Sequence, residues 1–197
     1  MKIMVSICAS FLVAFTIVSI LPINGEETIY SDIIRLHVIA NSDSDEDQSL
    51  KLKVRDEVLG MVDKLCTEAK CKDEAIEIIN ANIIDINKAA EEIVSQNGYD
   101  YEVETVIGKE KYPERKYDSF TLPSGEYFSL RVKIGDAEGK NWWCVLFPPM
   151  CTATATKQEE VFIEAGFTGE QYKIITETEN TKYKIKFKLL EWLDEIF

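Results

Sequence analysis

Residues 33–40 alternate between two sets of side chains and predict a β-strand with two different faces. Three aliphatic residues point to one side, and three mostly polar residues point to the other: Ile34, Leu36 and Val38 against Arg35, His37 and Ile39. The strand ends at residues 41–45, a cluster of helix-capping residues, and Ser44 with Asp47 loosely fits the capping-box pattern. We therefore predict that a helix begins there.

Two segments with helical periodicity follow this cluster. The first has one aliphatic stripe, formed by Leu50, Val54, Val58, Met61, Val62 and Leu65. The second begins near Lys72 and stops before Gly98, a natural residue for the position after a helix end. Its stripe consists of Ile76, Ile79, Ile83, Ile86, Ala90 and Ile93. The pattern predicts two helices, each with one buried face.

The chain then changes to β-type patterns. Residues 128–134 alternate most clearly and follow a turn at residues 123–125, whereas residues 142–147 form an apolar run typical of a central strand. Weaker signals predict strands at residues 101–106 and 183–187 and helices at residues 158–165 and 189–197. Helices first and strands later indicate one α+β domain, residues 26–197. We predict two N-terminal helices packed on a mainly antiparallel sheet, with a short C-terminal helix.

Residues 1–25 have the features of an export signal. A short positive start is followed by residues 3–21, which carry no charge, and Gly25 suits the position before a cut. The uncharged stretch is also long enough to span a bilayer as an uncleaved N-terminal anchor. Both alternatives place residues 26–197 outside the cytoplasm as a single extracytoplasmic domain.

The acidic charge of the chain limits the classes of partner. The chain has 22 Lys and Arg against 35 Asp and Glu, which gives a net charge of −13. Such a surface repels nucleic acids and anionic lipid headgroups. We therefore expect no nucleic-acid partner, and contact with a membrane only through the N-terminal segment if it stays uncleaved.

An even number of cysteines follows the N-terminal segment, which favours disulfides in an exported protein. The simplest interpretation is two local pairs, Cys66 with Cys71 and Cys144 with Cys151, because each pair brackets a break or a turn. A four-cysteine zinc site is the alternative, but the spacing of the second pair is wide for a zinc knuckle. We expect no metal and no cofactor.

Other candidate chemistry has little support. Asp43, Asp45 and Asp47 suggest a calcium loop, but Gln48 and Val54 stand where an EF-hand needs glycine and glutamate. The simple interpretation is a helix N-terminus. His37 is the only histidine, and no serine or cysteine motif identifies a nucleophile that would use it as a base. We predict no catalytic residues and no enzymatic activity.

Trp142 and Trp143 are adjacent in a predicted strand, so their side chains must point to opposite faces. One of them can join the core while the other faces outward as a contact for a partner. The alternative is that a helix covers the second face and buries both.

Two blocks of sequence carry a resemblance to a known family. The first is Arg35-Leu36-His37-Val38-Ile39-Ala40-Asn41-Ser42-Asp43, continued by Glu46-Asp47-Gln48, Leu50-Lys51 and Val54-Arg55-Asp56. The second is Leu122-Pro123-Ser124-Gly125-Glu126-Tyr127 with Asn141-Trp142-Trp143-Cys144-Val145-Leu146-Phe147-Pro148-Pro149, and Tyr112-Pro113, Arg115 and Tyr117 match between them. Over residues 35–151 the chain resembles the stage II sporulation protein R family.

The resemblance implies a signal secreted from the forespore into the space between the forespore and mother-cell membranes. There it would activate a membrane-embedded aspartic protease, by binding its extracytoplasmic region, to process the sigma-E precursor. The candidate partner-binding residues lie in the matched blocks: Arg35, His37, Asn41, Asp43, Trp142 and Trp143. Two other classes remain open at this point, a cell-wall hydrolase and a wall-binding module that uses the tryptophans.

Overall fold

The protein is represented by a computed structural model, which describes residues 10–11, 32–117, 120–150, 158–165 and 168–176. The described elements, in chain order, are β1 (Ile34–Ile39), α1 (Asp45–Leu65), α2 (Lys72–Ala81), α3 (Ile83–Gln96), β2 (Val103–Tyr112), β3 (Arg115–Lys116), β4 (Thr121–Leu122), β5 (Gly125–Ile134), β6 (Asn141–Phe147), α4 (Gln158–Glu164) and α5 (Gly169–Thr176). This order of helices and strands confirms the predicted α+β class.

Within the described residues, four strands form one sheet in the order β2-β5-β1-β6, and β3 pairs with β4 in a separate hairpin. β5 is antiparallel to β2 and parallel to β1, whereas β1 and β6 are antiparallel. The sheet is therefore mainly antiparallel, as predicted. Among the described strands β6 lies at one end of the order, and the strand predicted at residues 183–187 lies outside the described residues, so the central position of β6 stays a prediction. The apolar run of β6 packs on both faces of the sheet.

Helix α1 begins where the capping pattern predicts it. The Ser44 side chain accepts a hydrogen bond from the Asp47 backbone N–H (3.1 Å), and acidic residues occupy the first turn. Both features stabilise a helix N-terminus, since they satisfy a free backbone donor and oppose the positive end of the helix dipole.

The second predicted helix is two helices, α2 and α3, which meet at Asn82. The Asn82 side chain donates to the Ile78 carbonyl (2.8 Å), so it competes locally with the regular backbone pattern. The hydrophobic spacing continues across this break, which is why periodicity alone did not predict it. The predicted stop at Gly98 is confirmed, because Gly98 adopts a φ of 84° directly after the residue that ends α3.

The sheet separates two hydrophobic clusters. The larger one lies between the sheet and helices α1, α2 and α3, and includes Leu36, Val38, Val54, Leu130 and Val132. The smaller one lies on the opposite face, where Tyr127 and Val145 of the sheet pack with Leu122 of the hairpin, Phe162 of α4 and Ile175 of α5. One face of the sheet is thus covered by helices, and the other is covered at one end.

No helix within the described residues combines the length and the apolar character that crossing a membrane requires. The predicted export signal, the predicted strand at 183–187 and the predicted C-terminal helix at 189–197 lie outside the described residues, except for residues 10–11.

Candidate functional site

The sheet face opposite helices α1 to α3 carries most of the polar side chains of the sheet, and we call it the polar face. Strand alternation and register place its members side by side: Arg35 and His37 of β1, Glu104 and Glu110 of β2, Arg131 and Lys133 of β5, and Asn141 and Trp143 of β6. This face brings together segments more than a hundred residues apart in sequence.

His37 lies at the centre of the polar face. Its Nδ1 is 3.0 Å from Glu110 Oε1, and its Nε2 is 2.8 Å from Asn141 Oδ1. The ring also contacts Trp143, with ring centroids 5.5 Å apart. Because both partners offer oxygen acceptors, a protonated ring donates from both nitrogens. The buried ring is therefore held in one orientation by its neighbours.

The Glu110 carboxylate is shared between His37 and Arg131. Its Oε1 accepts from His37 and lies 3.6 Å from Arg131 Nη1. Burial by itself would raise the pKa of Glu110, but its interaction with His37 holds the pKa below its usual value. The carboxylate thus stays ionised and neutralises part of the positive charge on this face.

The two tryptophans point to opposite faces of the sheet, as predicted. Trp143 is half-buried on the polar face, next to His37 and Tyr112, and the guanidinium of Arg115 lies 3.7 Å from its ring centroid. Trp142 lies on the helix side and is 37% exposed, with the guanidinium of Arg55 of α1 at 4.3 Å. Trp142 is therefore the more accessible of the two.

Arg35 is not on the surface, and the contact role predicted for it is corrected. Its side chain is 0% exposed, and its Nη2 donates to the Tyr117 hydroxyl (2.7 Å). The guanidinium carbon lies 3.9 Å from the Tyr112 ring centroid and 5.0 Å from that of Tyr127. Arg35 cannot touch a partner while this packing is intact. The buried His37 offers little contact surface for the same reason.

Asn41 and Asp43 join three segments of the chain. Asn41 Nδ2 donates to Asp47 Oδ2 (2.9 Å), and Asn41 Oδ1 accepts from the backbone N–H of Asp136 (3.0 Å). Asp43 Oδ1 accepts from the backbone N–H of Lys140 (2.7 Å). These bonds connect the end of β1 to the start of α1 and to the β5–β6 loop. The block of sequence that contains them therefore has a clear role in building the fold.

The same junction is close-packed around Asp47 and Gly139. Burial opposes ionisation of Asp47, but hydrogen bonds from Ser42 and Asn41 hold its pKa below the usual value. Gly139 donates to the Ala40 carbonyl (3.0 Å), and a Cβ there would collide with the Ser42 carbonyl oxygen. The acidic run is thus a capped helix start, and no group of metal-ligating side chains converges within the described residues.

The predicted Cys66–Cys71 pair is not formed, since both thiols are free. Cys66 ends α1 with its side chain against the larger hydrophobic cluster, whereas Cys71 precedes α2 and is exposed. Burial raises the pKa of the Cys66 thiol to about 11. Short sequence spacing did not predict that the two side chains would have different surroundings. Cys144 is buried, and Cys151 lies outside the described residues, so that pairing stays a prediction.

Sequence reasoning missed Glu110 and Arg131 and did not weigh Arg115 as a site residue. Arg131 had a usable signal, because it alternates with the apolar residues of β5 and so must share a face with Lys133. Glu110 had none, because its partner His37 is 73 residues away.

Comparison with known proteins gives a consistent result. The model of the family described as stage II sporulation protein R matches residues 30–157. The chain is also similar to stage II sporulation protein R of Bacillus subtilis (strain 168), with 30% identity over 192 residues, which covers 88% of this chain and 85% of that protein. No solved structure matches the chain significantly.

Proposed function

Because the chain belongs to the stage II sporulation protein R family and so has a role in sporulation, we propose that it is an exported signal that activates a protease. Its target is a membrane-embedded aspartic protease that processes the sigma-E precursor. The observation that carries the proposal is the extent of the family match, residues 30–157, which includes all the described strands of the sheet and helices α1 to α3.

The geometry of the polar face supports binding rather than bond cleavage. Both ring nitrogens of His37 are engaged, and Glu110 is paired with His37 and Arg131. Groups fixed in this way hold a surface in one shape, but they are not free to take a proton from a substrate. The function that fits is a rigid surface that a receptor recognises.

Activation by a ligand requires a difference in affinity between two receptor states. A ligand that binds both states equally does not change the equilibrium between them, so this protein must bind the active state of the protease more tightly than the inactive state. On the helix side of the sheet, the exposed Trp142 and the Arg55 beside it are candidate contacts for the protease, because Trp and Arg commonly dominate binding energy at interfaces. The location we propose is the space between the forespore and mother-cell membranes.

Export is tested by mass spectrometry of the protein recovered from sporulating cells. We expect an N-terminus near Glu26, which indicates cleavage of residues 1–25. An intact Met1 in the membrane fraction indicates the anchored form instead. Full-length protein in the cytosol contradicts export in both forms.

The activating role is tested by reconstitution of precursor cleavage. The membrane protease is incubated with its sigma-E precursor, with and without this protein, and we expect cleavage to depend on its dose. A parallel assay measures release of fragments from peptidoglycan and retention on wall sacculi. Cleavage of the precursor without any effect of this protein contradicts the proposal, and peptidoglycan release points to a hydrolase instead.

A further inference from the structure

Arg115 is held in position, but nothing in the described residues neutralises it. Its guanidinium carbon lies 3.7 Å from the Trp143 ring centroid. Among the described residues, its buried Nε has no hydrogen-bond partner, and no ion pair includes its guanidinium. A guanidinium presents N–H donors in a planar fork that suits a carboxylate, so this group is ready to receive one.

The support for Arg115 is rigid. Trp143 is packed against His37 and Tyr112, with ring centroids 5.5 and 6.3 Å apart. Tyr112 in turn is fixed by Arg35 below its ring and by a hydrogen bond of 2.6 Å to Ser129. A contact surface that is already ordered loses little conformational entropy on binding.

The charge of the polar face is opposite to that of the whole chain. Apart from the fully buried Arg35, its cations are Arg131 and Lys133, and Arg115 lies against it over Trp143. Its carboxylates are Glu104 and Glu110, so three positive against two negative groups leave an excess of one. The full chain carries a net charge of −13. An acidic partner is thus repelled by the rest of the surface and attracted here, which orients its approach.

From these contacts we propose that the polar face binds an extended, acidic segment of the partner protein. One carboxylate of that segment pairs with Arg115, and the chain beside it packs on Trp143. A second acidic side chain fits near Arg131 and Lys133. These two already pair with Glu110 (3.6 Å) and Glu104 (2.7 Å), but their side chains remain 35% and 34% exposed. The inference rests on the proposed function, since it names the chemistry that the activated protease presents.

The direct test uses peptides and does not need the protease. The probes are a 12-residue peptide that alternates glutamate with threonine and its counterpart with glutamine in place of glutamate. Binding is followed by fluorescence anisotropy and by the Trp143 indole N–H resonance. We expect the glutamate peptide to bind at least about tenfold more tightly and to shift that resonance.

Arg115→Glu should abolish this binding, Arg115→Lys should retain part of it, and Lys88→Glu should leave it unchanged. Lys88 is a matched control because its side chain is 64% exposed on helix α3, away from the polar face. The proposal is overturned by equal binding of the two peptides, or by an Arg115→Glu protein that stays folded and binds the glutamate peptide normally. If Arg115→Glu does not fold, Arg115→Gln and the salt dependence of wild-type binding replace it. We expect Arg115→Gln to bind the glutamate peptide more weakly and added salt to weaken wild-type binding, because salt screens charge attraction. Unchanged binding in both measurements overturns the proposal.

The reconstituted cleavage assay separates this proposal from the proposed function. We expect Arg115→Glu to need at least about a tenfold higher dose than wild type for half-maximal activation. Failure of the wild-type protein to activate the protease contradicts the proposed function, whereas the peptide experiment tests binding to the polar face independently. Full activation by a folded Arg115→Glu protein contradicts only the proposed binding of an acidic segment to the polar face.

Discussion

The guanidinium of Arg35 lies 3.9 Å from the centre of the Tyr112 ring, and no part of the Arg35 side chain reaches solvent. Together with the hydrogen bond to Tyr117, this contact connects β1 to β2 and to the segment after β3. A buried cation that packs on aromatic rings contributes to the core, and its removal leaves both a cavity and an unpaired hydroxyl.

We therefore expect Arg35→Ala to lower the free energy of unfolding by about 3 kcal/mol, measured by urea denaturation. Lys88→Ala is the control, and it should change the free energy by less than about 0.5 kcal/mol. An Arg35→Ala protein as stable as wild type would show that the buried contacts contribute little.

Substitution of the two tryptophans should have different effects, on activation for Trp142 and on folding stability for Trp143. Trp142→Ala removes an exposed ring, so we expect a folded protein whose half-maximal dose in the precursor-cleavage assay rises at least about tenfold. Trp143→Ala removes a ring that supports His37, Tyr112 and Arg115, and should cost about 2 kcal/mol of stability. Circular dichroism and thermal unfolding of both variants separate the two effects. Equal loss of stability in both would contradict the assignment of faces.

Asp47 should be important for the junction of β1, α1 and the β5–β6 loop. Asp47→Asn keeps the size of the side chain but weakens the bonds from Asn41 and Ser42, so we expect a loss of about 1–3 kcal/mol in the free energy of unfolding. Asp45→Asn is the matched control, since Asp45 is an exposed residue of the same first turn. A similar loss for both variants would mean that the helix dipole, rather than the junction, is responsible.

Glu110 should make stability depend on pH in the acid range. Its pKa is lowered in the folded protein, so its contribution is complete above the usual value of 4.5 and is lost as the pH falls through the lower folded value. At pH 7 we expect Glu110→Gln to be less stable than wild type by about 1–2 kcal/mol. The difference should shrink as the pH falls below 4.5, because the protonated carboxyl resembles the amide. A difference that stays constant across this range would contradict the charge-based explanation.

The cysteines should differ in their rates of alkylation. Cys71 is exposed and should react first, whereas Cys66 is half-buried with a pKa raised to about 11 and should react slowly at pH 8. Peptide mapping of non-reduced protein should find no label on Cys144 or Cys151 if the predicted pair between them forms. Rapid labelling of Cys66 would contradict its burial, and labelling of Cys144 before reduction would contradict the predicted pair with Cys151.

Much of the secondary structure follows from local pattern. Alternation at residues 33–40 and 128–134 predicted β1 and β5 with the correct faces, and the capping residues at 41–47 predicted the start of α1. These features depend on the backbone geometry of a few neighbouring residues, so a single sequence contains enough information to predict them. The Asn82 break was missed because the spacing of the aliphatic residues is the same on both sides of it.

The sequence by itself thus determined the class of the fold, the two faces of β1 and the opposite directions of Trp142 and Trp143. Only the tertiary structure decided which parts of each face are covered. It buried Arg35 among Tyr112, Tyr117 and Tyr127, paired His37 with Glu110, and left Cys66 and Cys71 as free thiols. The physical reason is that alternation fixes the side to which a residue points, whereas burial and pairing depend on distant segments that pack against that side.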